Sequence, residues 1–306
     1  MKIDQENFAL LVNKAMQVGN VSHMRSVIEK ELLHYDILFA LEKGGLLNKL
    51  TFQGGTSLRL CYGGNRFSED LDFAGGKDFS SAMLADMKHC IEKYIGERYG
   101  LEVTVKEPKD LKQDPKYSEL SIDKWQIAVV TSPERKDLPK QKIKVEVANI
   151  PAYTREPQPL QINYDFLPDG YSDMLILTEC LDKFSAQKFF SCPATTRYVR
   201  HRDTWDLAWL QQQGATLNMD LVKNKVSDYK LEHFNKMLEN FLERLPSIVS
   251  SEAFIAEMKR FLPTDVFDRT LAQDKFQVYL QNTLAKLFKT VSNELLGKVT
   301  NSEFRM

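Results

Sequence analysis

Cysteine is scarce in this 306-residue chain: Cys61, Cys90, Cys180 and Cys192 form no CxxC pair, and none stands beside a histidine at zinc-finger spacing. That scarcity argues against a disulfide scaffold or a zinc ribbon and fits a reduced, cytoplasmic chain. Long apolar runs are missing as well. No stretch nears the ~20 residues needed to span a bilayer, and the opening "MKIDQENFALLVNKAM" has acids where a signal peptide needs an apolar centre. No membrane partner and no export are therefore expected. Net charge is almost absent, because 41 basic against 42 acidic residues leave −1. A bulk polycation that coats nucleic acid is excluded, and any basic surface must be local, as at "RHR" (Arg200–Arg202) or in "PERKDLPKQKIK". There is no GxxxxGK[ST] of a P-loop and no GxGxxG of a dinucleotide fold. Repeats and low-complexity tracts are also lacking.

What remains is an ordinary globular composition, with 43% apolar residues. From Asn7 to Leu47 the apolar positions recur at three and four, which predicts two amphipathic helices with a break near "GNVS". "LTFQGG" then reads as a short buried strand, "TSLRLCY" as a helix opening from the glycines, and "SEDLDFAG" as the next strand. Asp78 to Arg98 reads as a helix with an Asp N-cap. "LEVTVKE", "WQIAVVTS" and "KIKVEVANI" are further strands. Beyond about Pro168 only helices are expected, over Leu175–Phe190, Tyr198–Gln213, Asp220–Leu245, Glu252–Phe261 and Leu271–Gly297. The expected division is thus a mixed α/β domain over 1–168 and a helical domain over 169–306.

Chemistry concentrates in "FQGGTSLRLCYGGNRFSEDLDFAGG". A chain that leaves a strand through Gly54 and Gly55 and enters a helix presents amides without intrahelical partners. Those amides, the helix dipole and the hydroxyls of Thr56 and Ser57 suit phosphate oxygens. Glycines at such a junction also serve simply as a turn. Asp70 and Asp72, two apart on a strand, share one face while Leu71 and Phe73 enter the core. Two close carboxylates repel unless a cation lies between them, and Mg²⁺ takes one or two carboxylates together with substrate phosphates. The same pair also fits a solvated strand face. Combined, turn and acids are the layout for phosphoryl or nucleotidyl transfer. Strand alternation offers Glu146 as a third carboxylate, although an exposed Glu/Lys face reads the same way. The second pair, Gly63 and Gly64, reads as the turn joining the two halves.

These residues resemble the AbiEii-type nucleotidyltransferases of the DNA polymerase β-like superfamily. "GGTSLRLCYGGNRFSEDLDF" is similar to that family's signature, and "VIEKELLHYDILFAL" resembles its preceding helix, with Glu31 where Asp is commoner. "LTECLDKFSAQKFF" and "RYVRHRDTWDLAWL" resemble its later Glu-x-x-x-Lys and Arg-Asp-x-x-Asp-Leu helices. The resemblance covers roughly Val27 to Leu210. It implies an α+β fold, a polymerase-β-like nucleotidyltransferase domain followed by an all-helical domain. It further implies that Gly55, Thr56 and Ser57 hold the triphosphate of the NTP, with Gly54 in the same turn; Arg59 and Arg66, which flank the glycines and acids, and Ser68 are further candidate nucleotide contacts, although an arginine there can equally bridge to acids for structure. Asp70 and Asp72 would bind Mg²⁺. Lys183 would contact the phosphates, and Asp203 would either position Lys183 or help deprotonate the acceptor. The implied function is transfer of NMP to an acceptor hydroxyl, a tRNA 3′ end, by the toxin of an abortive-infection system countered by an antitoxin. A small-molecule or protein acceptor, or an NTP-binding module without turnover, would share much of this apparatus.

Overall fold

The computed structural model describes residues 5–108 and 121–297, and the chain divides into two compact units, Met1–Glu179 and Cys180–Met306. In the first unit α1 (Phe8–Ala15) begins where the Asn7 side chain accepts from the Leu10 amide at 3.1 Å. After the expected break, α2 (Arg25–Lys43) packs Ile28, Leu32, Leu33, Ile37 and Leu41 into the interior. β1 (Thr51–Gln53) runs directly into α3 (Gly54–Tyr62), and α3 stops at Gly63, whose left-handed φ of 71° lets the Gly64 amide reach the Leu58 carbonyl at 2.9 Å. That places the second glycine pair at a helix end. β2 (Leu71–Ala74) follows. The helix expected from Asp78 starts later: a short 3-10 turn at Ser81–Leu84 precedes α4 (Met87–Tyr99).

β3 (Val103–Lys106), β4 (Ile122–Val129) and β5 (Gln141–Ala148) form where alternation predicts strands. Two more strands, β6 (Glu156–Pro159) and β7 (Leu175–Thr178), complete a seven-stranded mixed sheet in the order β3-β4-β5-β2-β1-β7-β6. The expectation of a helix from Leu175 is corrected here. Ile176 and Thr178 are buried while Leu175 is exposed, an alternation too brief to stand out before the helix that follows. β1 lies parallel to β7 and β2 parallel to β5; the remaining pairs are antiparallel. Both outer strands are blunted. The Glu92 carboxylate accepts from the Val105 amide of β3 at 2.8 Å, and β6 carries Pro157 and Pro159.

Among its described residues the second unit is all helical: α5 (Leu181–Ala194), α6 (His201–Gln212), α7 (Met219–Asp228), α8 (Phe234–Val249), α9 (Glu252–Phe261), α10 (Thr264–Arg269) and α11 (Asp274–Leu295). The helix expected over Asp220–Leu245 is two helices, broken near Lys230, which takes a φ of 50°. The core of this unit gathers Phe189, Leu238, Leu245, Phe254, Leu284 and Phe288. No described helix is long and apolar enough to cross a membrane.

Candidate active site

The glycine turn and the acids lie on paired strands. β1 runs antiparallel to β2 with Gln53 opposite Asp72, so α3 opens beside the acid-bearing strand. Gly54 has a φ of 81°, and a Cβ there would stand 2.4 Å from Asp72 Oδ2. Only glycine meets both conditions: a side chain would be strained in its backbone and would push Asp72 away from the helix N-terminus. Gly55 is similarly tight, since a Cβ there would lie 2.4 Å from Arg66 Nη2. A guanidinium thus rests against the first turn of α3, where the helix dipole is already positive, and the two together favour an anion nearby. The same guanidinium donates to the Phe67 carbonyl at 2.9 Å.

Burial in β2 alternates as expected: Leu71 and Phe73 are in the core, and Asp72 is half-exposed between them. Parallel pairing of β2 with β5 sets Glu146 directly beside Asp72, so their side chains emerge on the same face. Lys124 of β4 pairs with Glu146 at 3.0 Å. Asp70 bends onto β5, where Oδ1 accepts from the Lys144 amide at 3.0 Å and Lys144 Nζ stands 3.7 Å from Oδ2. Among the described residues no three His, Cys, Asp or Glu side chains close into a metal cage. Mg²⁺ needs none, because it takes few protein carboxylates and completes its shell with water and phosphate. Asp72 and Glu146 in register, beside the N-terminus of α3, suit such an ion.

Other candidates have different company. The Thr56 hydroxyl donates to the Asp70 carbonyl at 2.5 Å, and Ser57 Oγ lies 2.6 Å from Thr178 Oγ1. Both side chains are buried. These hydroxyls tie α3 to the acid segment and to β7. Arg59 turns to α2. Its Nε and Nη2 donate to Glu31 at 3.0 and 3.2 Å, Nη1 donates to the Gly64 carbonyl at 3.0 Å, and the guanidinium lies 4.2 Å from the Phe67 ring centroid. Glu31 also accepts from Tyr164 at 3.0 Å and Asn163 at 3.2 Å. Ser68 is buried just before the acids.

In the second unit Lys183 is fully buried on α5. Asp203 is buried on α6 within a ring of donors: Lys188 at 2.5 Å, Ser191 at 2.8 Å and Arg200 at 2.9 Å. Lys188 also reaches Asp206 at 3.2 Å. Burial alone would raise the Asp203 carboxyl, but Lys188 and Arg200 outweigh it and hold the group well below the usual carboxylate range. A carboxylate so held is a poor proton acceptor and a strong orienting group. Lys188, which the sequence did not single out, is thus a lysine paired with Asp203. The sequence signal for this partner is modest: two acids three apart on α6 and a lysine on α5, with nothing local to join them. Of the expected basic surface, Arg200 is committed to Asp203, Arg202 lies 3.4 Å from Glu257, and Arg135 pairs with Asp137 at 2.7 Å.

A family model for the nucleotidyl transferase AbiEii toxin of type IV toxin–antitoxin systems matches residues 36–282. MenT4, a nucleotidyltransferase toxin from Mycobacterium tuberculosis H37Rv, is similar in structure, with a TM-score of 0.53 and 17% identity over 96% of this chain and 100% of that one. JHP933 from Helicobacter pylori is similar with a TM-score of 0.50 and 18% identity, over 89% of this chain and 95% of that one. At these identities the structural likeness speaks for the fold alone. No curated protein matches in sequence.

Proposed function

The chain belongs to the AbiEii nucleotidyltransferase toxin family, and from that premise we propose that it transfers NMP from an NTP to the 3′-terminal hydroxyl of a tRNA, with Mg²⁺ as cofactor. The observation that carries this reading is the contact between Gly54 and Asp72, which joins the phosphate turn to a metal-binding carboxylate with no room for a side chain between them. The α3 amides and Arg66 bind the triphosphate. Asp70 and Asp72, with Glu146 beside Asp72, hold the ion. Mg²⁺, when bound, neutralises phosphate charge and polarises the reacting phosphoryl group. The acceptor oxygen forms a bond to the α-phosphorus, the bond from that phosphorus to the bridging oxygen breaks, pyrophosphate leaves and the hydroxyl proton passes to solvent. Within the helical unit Asp203 orients Lys188 and Arg200. The toxin family also implies a cognate antitoxin protein, and we place the reaction in the cytoplasm.

Incubation with each labelled NTP, Mg²⁺ and total tRNA, beside an Asp72→Ala variant, tests the reading. Label on tRNA that the variant loses is the expected result. Label on protein or a small molecule would replace the acceptor, and NTP binding with no transfer would overturn the catalytic reading.

A further inference from the structure

Helix α2 grips the acid segment and α3 at the same time. Lys30 and His34 are one turn apart on α2, so they share a face. Lys30 Nζ lies 2.7 Å from Glu69 Oε1, and His34 Nε2 lies 3.0 Å from the Glu69 carbonyl. A carbonyl can only accept, so Nε2 carries the proton. Burial lowers the tendency of His34 to charge, which suits a neutral imidazole donating one hydrogen bond. One helical face therefore holds both the side chain and the main chain of the residue immediately before Asp70. One residue on from Lys30, Glu31 holds Arg59 of α3 through two hydrogen bonds. Thr56, in the first turn of α3, in turn donates to the Asp70 carbonyl.

From this geometry we infer that Lys30 and His34 are positioning residues for Asp70, and that α2 acts as a splint fixing the acid segment relative to the phosphate turn. The Asp70 carboxylate is only partly sheltered, and among the described residues its short hydrogen bond comes from a β5 amide. Its direction therefore depends on where the chain at Glu69 and Asp70 is held. Two contacts from α2 and one from α3 hold it there. Lys30 and His34 touch no reacting atom. They act on the metal site through the backbone, in the way outer partners of metal ligands set the ligands' orientation. The inference rests on the reading of Asp70 as a metal ligand.

Mn²⁺ serves as the probe: free ion is followed by electron paramagnetic resonance during titration of the protein with a non-hydrolysable NTP analogue. Asp70→Asn, Lys30→Gln, His34→Ala and His34→Gln are compared with the parent, and melting temperatures are recorded alongside. Asp70→Asn should lose most Mn²⁺ affinity. Lys30→Gln and His34→Ala should each weaken it about tenfold, the lower end of what outer-partner changes cost. His34→Gln keeps an N–H donor and should return affinity towards the parent. Parent-like affinity in both Lys30→Gln and His34→Ala, with Asp70→Asn impaired, overturns the inference and leaves the metal reading intact. Unchanged affinity in Asp70→Asn overturns the metal reading itself. Should His34→Ala fail to fold, Lys30→Gln decides, because that side chain lies nearer the surface and its partner Glu69 is about a quarter exposed.

Discussion

The carboxylates of the two units live under opposite conditions. In the sheet unit Asp70, Asp72 and Glu146 are partly exposed; Asp70 has one main-chain donor and Glu146 one solvent-exposed lysine. In the helical unit Asp203 is buried and surrounded by Lys188, Arg200 and Ser191. Acids of the first kind stand close together where a cation would relieve their mutual repulsion. An acid of the second kind is already neutralised and serves the architecture around it. Carboxylates in one chain thus meet different company according to what was buried with them.

The strongest way to break this contrast is to neutralise one acid of each kind. Asp203→Asn leaves Lys188 buried with its main partner weakened and should cost about 3–5 kcal/mol in a denaturant melt. Asp72→Asn should abolish transfer and cost less in the same melt than Asp203→Asn, because its side chain is only partly buried. The Asp203 effect also has a pH signature. A carboxyl held below its unfolded value of about 3.9 contributes stability that is present above that pH and lost as pH falls below it. The gap between parent and Asp203→Asn should therefore be full at neutral pH and shrink in acid below about pH 4, as read from paired melts.

Gly54→Ala should cost about 1–2 kcal/mol from its left-handed backbone alone, and transfer should fall further than that strain explains, because Asp72 must move. A variant with parent-like turnover would show that the contact between turn and acid is incidental. The smallest effect belongs to Lys124→Gln. Its side chain is 58% exposed, so stability should stay within about 0.5 kcal/mol, and the Mg²⁺ concentration for half-maximal transfer should be unchanged or lower once Glu146 is released. A clear rise in that concentration would make Lys124 part of the site.

The glycine turn and the alternation of the acids were legible because their signals are local. A double glycine between a strand and a helix, and acids alternating with Leu71 and Phe73, depend on residues next to one another, whereas the register that sets Glu146 beside Asp72 comes from pairing of distant strands. Contacts between distant segments were not legible. Nothing near Lys188 announces Asp203, and nothing near Ser57 announces Thr178. Arg59 looked like a phosphate ligand because it flanks the turn, but its Glu31 partner lies on a different helix. β6 and β7 escaped for another reason. Two prolines make "EPQP" read as a loop, and "LILT" merges with the helical run beyond it.

The two ends of the sheet constrain how another protein could engage this unit. An added strand at the β3 end would meet a Val105 amide already bonded to Glu92, and one at the β6 end would find no donor at Pro157 or Pro159. Sheet extension, a common route by which one chain captures another, is closed at those positions. At those positions a partner would meet side chains rather than a free strand edge, so surface substitutions there could alter recognition while the sheet itself stays intact.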